Sequence, residues 1–287
     1  MSQSNNTTVG AKPQKGFFRS NPVMNRLNKI EDNITTDGKA ASYGRITAKT
    51  AYFLLITAVG IMLYLVLNNT LFAAQPQTVQ FNYRGFEVST SMMALIFAAV
   101  AGIIAIITQI VAAFARGTIP VTGTIYCAAQ GFLISFTVFT IIKGYEYLGL
   151  LALAITIVVV LSMALLYTTG VVRVTKKFRL VVGTLFAAMI GISILTFIGY
   201  LIPLTRPFVS MIMGNFWVSL IMTILSIIIA SLFLISDFAT IDNVVENRMP
   251  AKYEWMAAFG LAFTVLWIYV KILDLLIQIV GKSKSSS

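Results

Sequence analysis

The sequence predicts an all-α integral membrane protein with seven transmembrane helices. Three observations predict it. Charged residues are 11% of the chain and hydrophobic residues 58%, whereas a soluble domain carries about 25% charged residues. The mean hydropathy is +0.87. Seven apolar runs follow a polar amino-terminal stretch, and each is long enough to cross a bilayer core of about 30 Å, which takes roughly 20 helical residues.

Residues 1–45 are polar and rich in Asn, Thr, Ser, Gly and Lys. They lack the short apolar core of a signal peptide and are expected to form a mostly disordered cytosolic arm. Within it, residues 21–33 (NPVMNRLNKIEDN) read either as a short amphipathic turn resting on the membrane or as plain tail. The membrane domain is expected over 46–281, followed by a short polar tail, 282–287. The apolar runs cover 49–68, 89–114, 119–142, 147–169, 179–201, 214–236 and 254–280. They show no period-2 alternation, so a barrel is excluded. Helices are then the only way to satisfy the backbone in lipid. Small residues recur within the runs, as at Ala99, Ala101, Gly102 and Ala105, which suits close helix packing in lipid.

Lys and Arg set the orientation. Eight of the 21 basic residues precede residue 50. Arg116, then Arg173, Lys176, Lys177 and Arg179, then Arg248 and Lys252 lie in loops on the same side. The alternate loops hold Arg84, Lys143 and Arg206. The positive-inside rule puts the amino terminus in the cytosol and, with an odd number of spans, the carboxyl terminus outside. The formal charge of +11 therefore reads as topology and lipid headgroup contact, not nucleic-acid binding.

Cysteine and histidine usage narrows the chemistry. Cys127 is the single cysteine, so no disulfide forms within the chain. There is no histidine, which removes serine and cysteine triads and the common zinc sites. No nucleotide-binding or metalloprotease motif occurs. The sequence gives no catalytic residue, cofactor or fixed metal, and the chain is expected not to be an enzyme.

The informative stretch is SDFATIDNVVENRMPAKYEW, residues 236–255, which holds Asp237, Asp242, Glu246 and Glu254, four of the ten acids of the chain. Asp237 lies about 33 Å along the sixth span, at its cytosolic edge. No helix breaker precedes Pro250, so the helix is expected to run on through Asp242 and Glu246, whose simplest role is a solvated face. Glu254 opens the last span, where a negative charge favours the helix dipole. Ionisable residues within a span are functional candidates. Lys271 lies about 14 Å from the outer end of the last span, and Asp274 shares its face. The two either neutralise one another or line a polar path. Gln130, in the third span, needs a hydrogen-bond partner in a dry bundle.

Several segments together carry a resemblance: IYCAAQGFLISF in the third span, LLYTTGVVRVTKKFR at the end of the fourth, DFATI at the end of the sixth, and EWMAAFGLAFTVLWIYVKIL in the last. With SNPV at Ser20 to Val23, the chain resembles the Bax inhibitor-1/YccA (TMBIM) family, in its longer bacterial branch, over residues 17–281. The resemblance implies six helices around a central carboxyl-terminal one, in a bacterial plasma membrane. It also implies a pH-sensitive calcium leak, in which a sixth-helix acid and a seventh-helix acid share a proton and an arginine of the second helix latches onto them. Asp237 matches the first acid and Arg116 the latch. The seventh-helix acid is replaced by Lys271, and Gln130 stands where relatives carry an acid. A hairpin turning near Pro250 puts Asp237 opposite residue 263, about 12 Å short of Lys271.

The expectation is therefore a pH-sensitive passive cation (Ca²⁺) leak with Asp237 as the gate. An unpaired carboxylate in a dry bundle costs several kcal/mol, so Asp237 is expected to sit within hydrogen-bond reach of Arg116 or, less favourably placed, Lys271. The resemblance also implies a second expectation, a regulatory membrane protein that binds a membrane protease or another membrane partner, for which the basic arm would be the handle.

Overall fold

The computed structural model describes residues 40–77 and 79–285. The expected arm, with its 21–33 segment, lies outside the described residues except for 40–45. Eight helices and one two-stranded hairpin make up the described chain: α1 (Tyr43–Leu67), β1 (Val79–Tyr83), β2 (Phe86–Thr90), α2 (Met92–Phe114), α3 (Ile119–Phe136), α4 (Tyr147–Thr168), α5 (Lys176–Leu201), α6 (Arg206–Met213), α7 (Phe216–Glu246) and α8 (Lys252–Ser285). Wider π turns, Asn68–Phe72 and Thr137–Ile141, extend α1 and α3. Seven helices are long and apolar enough to cross a membrane, all but the short α6. The protein is an α-helical multi-pass membrane protein, as its composition requires.

Side chains that satisfy free amides mark the helix starts. Ser42 caps α1, Ser91 caps α2, Thr175 caps α5, and Asn215 accepts from both Trp217 and Val218 at the start of α7. Pro120 stands in the first turn of α3, where its missing N–H costs nothing. The α1 helix begins at Tyr43, several residues before the expected run, so residues 40–45 belong to the membrane unit. Ala40 pairs with Pro250, and the Ala41 amide donates to the Met249 carbonyl at 2.8 Å. The α7 helix runs on through Asp242 to Glu246, as the absence of a breaker predicts.

Close approach, not apolar side chains alone, joins α1 to α3. A Cβ at Gly60 would stand 2.1 Å from the Ala128 carbonyl oxygen, and one at Gly131 2.0 Å from that of Thr57. The two glycines let the backbones touch, as lipid-embedded helices require where no hydrophobic force drives them together. On α2 the buried residues are Ala94, Ala98, Ala101, Ala105, Thr108 and Ala112, a helical stripe laid on α3. Of the small residues picked out in the sequence, Ala101 and Ala105 fall on that stripe, while Ala99 is exposed.

The last helix is central. Its Ala258, Ala262, Ile268 and Ile277 are fully or almost fully buried, and α1, α3, α4 and α7 pack against it. The α5 helix packs on α7 and reaches α8 through Phe186, whose ring lies 5.3 Å from that of Trp267. The α2 helix packs chiefly on α3.

The hairpin was not expected; the second span was placed from residue 89, which lies in β2. Its strands pair antiparallel, Tyr83 opposite Phe86 and Val79 opposite Thr90. Arg84 and Gly85 take φ of 53° and 86°, the left-handed pair of the tight hairpin turn whose twist matches the strands. Phe86, Val88 and Thr90 point inward. The tip is seated on the end of α8, where a Cβ at Gly281 would lie 1.8 Å from the Arg84 carbonyl oxygen.

Candidate functional site

Three carboxylates mark three levels along α8. The first is Glu254. Its side chain is completely buried, yet it is fully compensated: it accepts from Arg45 Nε at 2.7 Å, Lys49 Nζ at 2.5 Å and the Ser42 amide at 3.1 Å. Lys49 also lies over the Trp255 ring at 4.8 Å. Glu254 therefore does more than favour a helix dipole. It bolts the start of α1 to the start of α8, and its partners, Arg45 and Lys49, were missed because the sequence assigned them to the arm and the edge of the first span. The signal available was their spacing: residues four apart lie on one helix face.

The second level is Asp237. Its carboxylate accepts from the Thr264 hydroxyl at 2.6 Å, and a Cβ at Gly260 would stand 3.8 Å from it. Thr264 and Gly260, one turn apart on α8, form a small-residue seat for the acid. Among the described residues Asp237 makes no ion pair. The expected cationic latch is thus corrected. Arg116 is exposed in the turn between α2 and α3 and pairs with nothing among the described residues. Lys271 lies seven residues beyond Thr264, about 10 Å further along the helix. The hairpin geometry, which put Asp237 opposite residue 263, is right to within one residue. The acid is also deeper than the edge position read from the sixth span. It sits midway between Glu254 and Asp274, about 15 Å along α8 from each.

The third level is Asp274. It does not pair with Lys271, as its spacing had allowed. It forms an ion pair with Arg84 Nη2 at 3.4 Å and accepts hydrogen bonds from Thr223 Oγ1 at 3.2 Å and Gln278 Nε2 at 3.2 Å. Arg84 reaches it from the hairpin tip, and no pattern within the spans could have announced that contact. Beside it opens a cavity of about 310 Å³ lined by Tyr83, Arg84, Gln130, Lys271 and Asp274, among others. Lys271 makes no hydrogen bond or ion pair among the described residues. Gln130 finds its partner in the Tyr126 hydroxyl at 3.0 Å. Burial raises the Tyr83 hydroxyl above its ordinary value, so it stays a neutral donor.

Of the remaining acids, Asp242 departs from the expected solvated face. It accepts from Tyr43 Oη at 3.0 Å and from Tyr167 Oη, joining the ends of α1 and α4 to α7. Glu246 is exposed, as a solvated face requires. A larger cavity of about 650 Å³ opens over α8 between α1 and α4, walled by apolar side chains such as Leu54, Leu153 and Val265, with Glu146 at its rim. It brings no charges together.

Buried apolar side chains lie between the three levels. Ala257, Ala258 and Phe259 are buried between Glu254 and Gly260; Leu266, Ile268, Ile272 and Leu273 are buried between Thr264 and Asp274. Among the described residues no three acidic or cysteine side chains converge on one point. An arrangement of this kind can hold a proton or a passing cation at Asp237, but it has no preformed cage for a metal.

A seven-span helical bundle with an under-compensated carboxylate against its central helix defines a class of polytopic membrane protein with a polar centre. The comparison with protein families narrows this further: the family model described as Bax inhibitor 1 like matches residues 21–281. The chain belongs to that family. Neither the curated proteins nor the solved structures give a match.

Proposed function

We propose that the protein is a pH-sensitive passive cation pathway, of the Ca²⁺ class, in which Asp237 is the titrating and ion-handling group. The observation that carries the reading is the seat of Asp237: a carboxylate inside the bundle with one hydroxyl partner and no ion pair among the described residues. A carboxylate has about four acceptor sites, so most remain for a proton or a hard cation, which prefers oxygen ligands. Buried apolar side chains lie between Asp237 and each end of α8. Opening requires α7 and α8 to part at the Asp237–Thr264 contact. Positive-inside counting favours a cytosolic Glu254 end and an outer hairpin end, and the family resemblance suggests a bacterial cell membrane.

The test is ion flux into liposomes carrying a calcium dye, between about pH 5 and about pH 8. Wild type is expected to conduct with a pH-dependent rate. In Asp237→Asn the pH dependence disappears, because the amide does not titrate. A variant that keeps the wild-type pH profile refutes the assignment.

A second reading, a regulatory protein that binds a membrane partner through its arm, draws on one observation. Residues 40–45 are tied to the α7–α8 turn through Ala41–Met249 and to α8 through Arg45–Glu254, so a pull on the arm would be felt at the start of the central helix. Deleting residues 1–39 separates the two readings: a leak survives it, and partner binding does not.

A further inference from the structure

The cavity at the hairpin end holds more positive than negative charge. Arg84 and Lys271 face it against one carboxylate, Asp274. That carboxylate is already occupied by Arg84, Thr223 and Gln278. What the cavity has left over is donors: the Lys271 ammonium, without a partner among the described residues, the remaining N–H groups of Arg84, and the Tyr83 hydroxyl. The surroundings add to the field. Lys284 lies over the rings of Phe86 and Tyr145 at 5.5 and 5.7 Å, at the same end of α8. Lined clefts of one sign concentrate the opposite ion. A guanidinium fork beside an ammonium suits a tetrahedral or planar oxyanion, which takes two parallel bonds from the fork and a third from the lysine.

We propose that this cavity binds an oxyanion of the phosphate class, held by Lys271 and Arg84 with Tyr83 as a neutral donor. The phosphate is either free in solution or part of a lipid headgroup. A bound anion would also cancel the excess positive charge that a cation leaving the bundle past Asp274 has to cross. The proposal stands on the cavity and its donors, independently of any cation flux.

The experiment is thermal unfolding of the purified full chain in detergent with rising inorganic phosphate, ionic strength held constant with chloride. A ligand bound only to the folded state raises Tm in a saturable way. Wild type is expected to show that rise, and Lys271→Met to shift its midpoint by about tenfold or more; Lys271→Arg retains it. Should the Met variant not fold, Lys271→Gln takes its place, since Gln stays polar and loses the charge. A second arm measures retained lipid by native mass spectrometry after nanodiscs of phosphatidic acid or phosphatidylcholine. Retention of phosphatidic acid by wild type and not by Lys271→Met, without a response to free phosphate, identifies a headgroup as the source. No response in either arm, or equal responses from wild type and the uncharged variants, overturns the proposal.

Discussion

At the start of α8, the buried Glu254 receives a guanidinium, an ammonium and a backbone amide within 3.1 Å. Twenty residues on, Asp274 meets its arginine only at 3.4 Å, and a cavity opens beside it with a lysine to spare. The first arrangement is a joint: a buried carboxylate whose desolvation is offset by two cations. The second is a vestibule, where the lysine is held apart from the occupied carboxylate and remains available. Asp237 lies between them and resembles neither. It has one hydroxyl for a partner. The lesson is that charge within a membrane bundle does not identify function by itself; how fully each charge is compensated does.

The largest effect is expected at the joint. Glu254→Ala leaves Arg45 and Lys49 facing a dry pocket, and the loss of stability is expected to be about 3 kcal/mol, at the low end for a broken buried pair because Arg45 is partly exposed. Unfolding in denaturant measures it, and a loss near zero would show that Glu254 is no joint. At the other end, Gly281→Ala drives a Cβ into the Arg84 carbonyl. The expected cost is about 2 kcal/mol, and the displaced tip carries Arg84 away from Asp274, so the variant also loses the phosphate response described above. Between the ends, Thr264→Val removes the single donor to Asp237. About 1 kcal/mol of stability is expected to go with it, together with a shift in the pH midpoint of flux; an unchanged midpoint would separate the hydroxyl from the titration.

The smallest effect is expected at Glu146, in the loop before α4. The Gly144 amide donates to it at 2.8 Å and, with Lys143 nearby, holds its carboxyl below the ordinary 4.5. A carboxylate whose folded pKa is lowered contributes stability above its unfolded value and loses it as the pH falls through the folded one. Glu146→Gln should therefore flatten the acid side of a Tm–pH curve slightly, and only slightly, because the group is open to solvent.

Composition and hydropathy alone carried the seven spans, because the backbone in lipid has few solutions and each takes a run of about 20 apolar residues. They also carried the unbroken α7 through Asp242, since no proline or glycine interrupts it, and the depth of Asp237 relative to the last helix, since helical rise is constant. The family, too, was legible, from segments in four of the spans. The hairpin was not: strands of five residues with an Arg-Gly turn give a weak pattern beside spans of more than 20. Nor were the partners. Arg45 and Lys49 meet Glu254 from more than 200 residues away, Arg84 meets Asp274 across the bundle, and Thr264, not Arg116, meets Asp237. Hydrophobicity decides which segments enter the membrane, and it acts on each segment separately. Which charges then meet depends on the rotation and height at which helices pack, and that is set by contacts such as the Gly60–Ala128 and Gly281–Arg84 approaches, which exist only once the whole bundle has assembled.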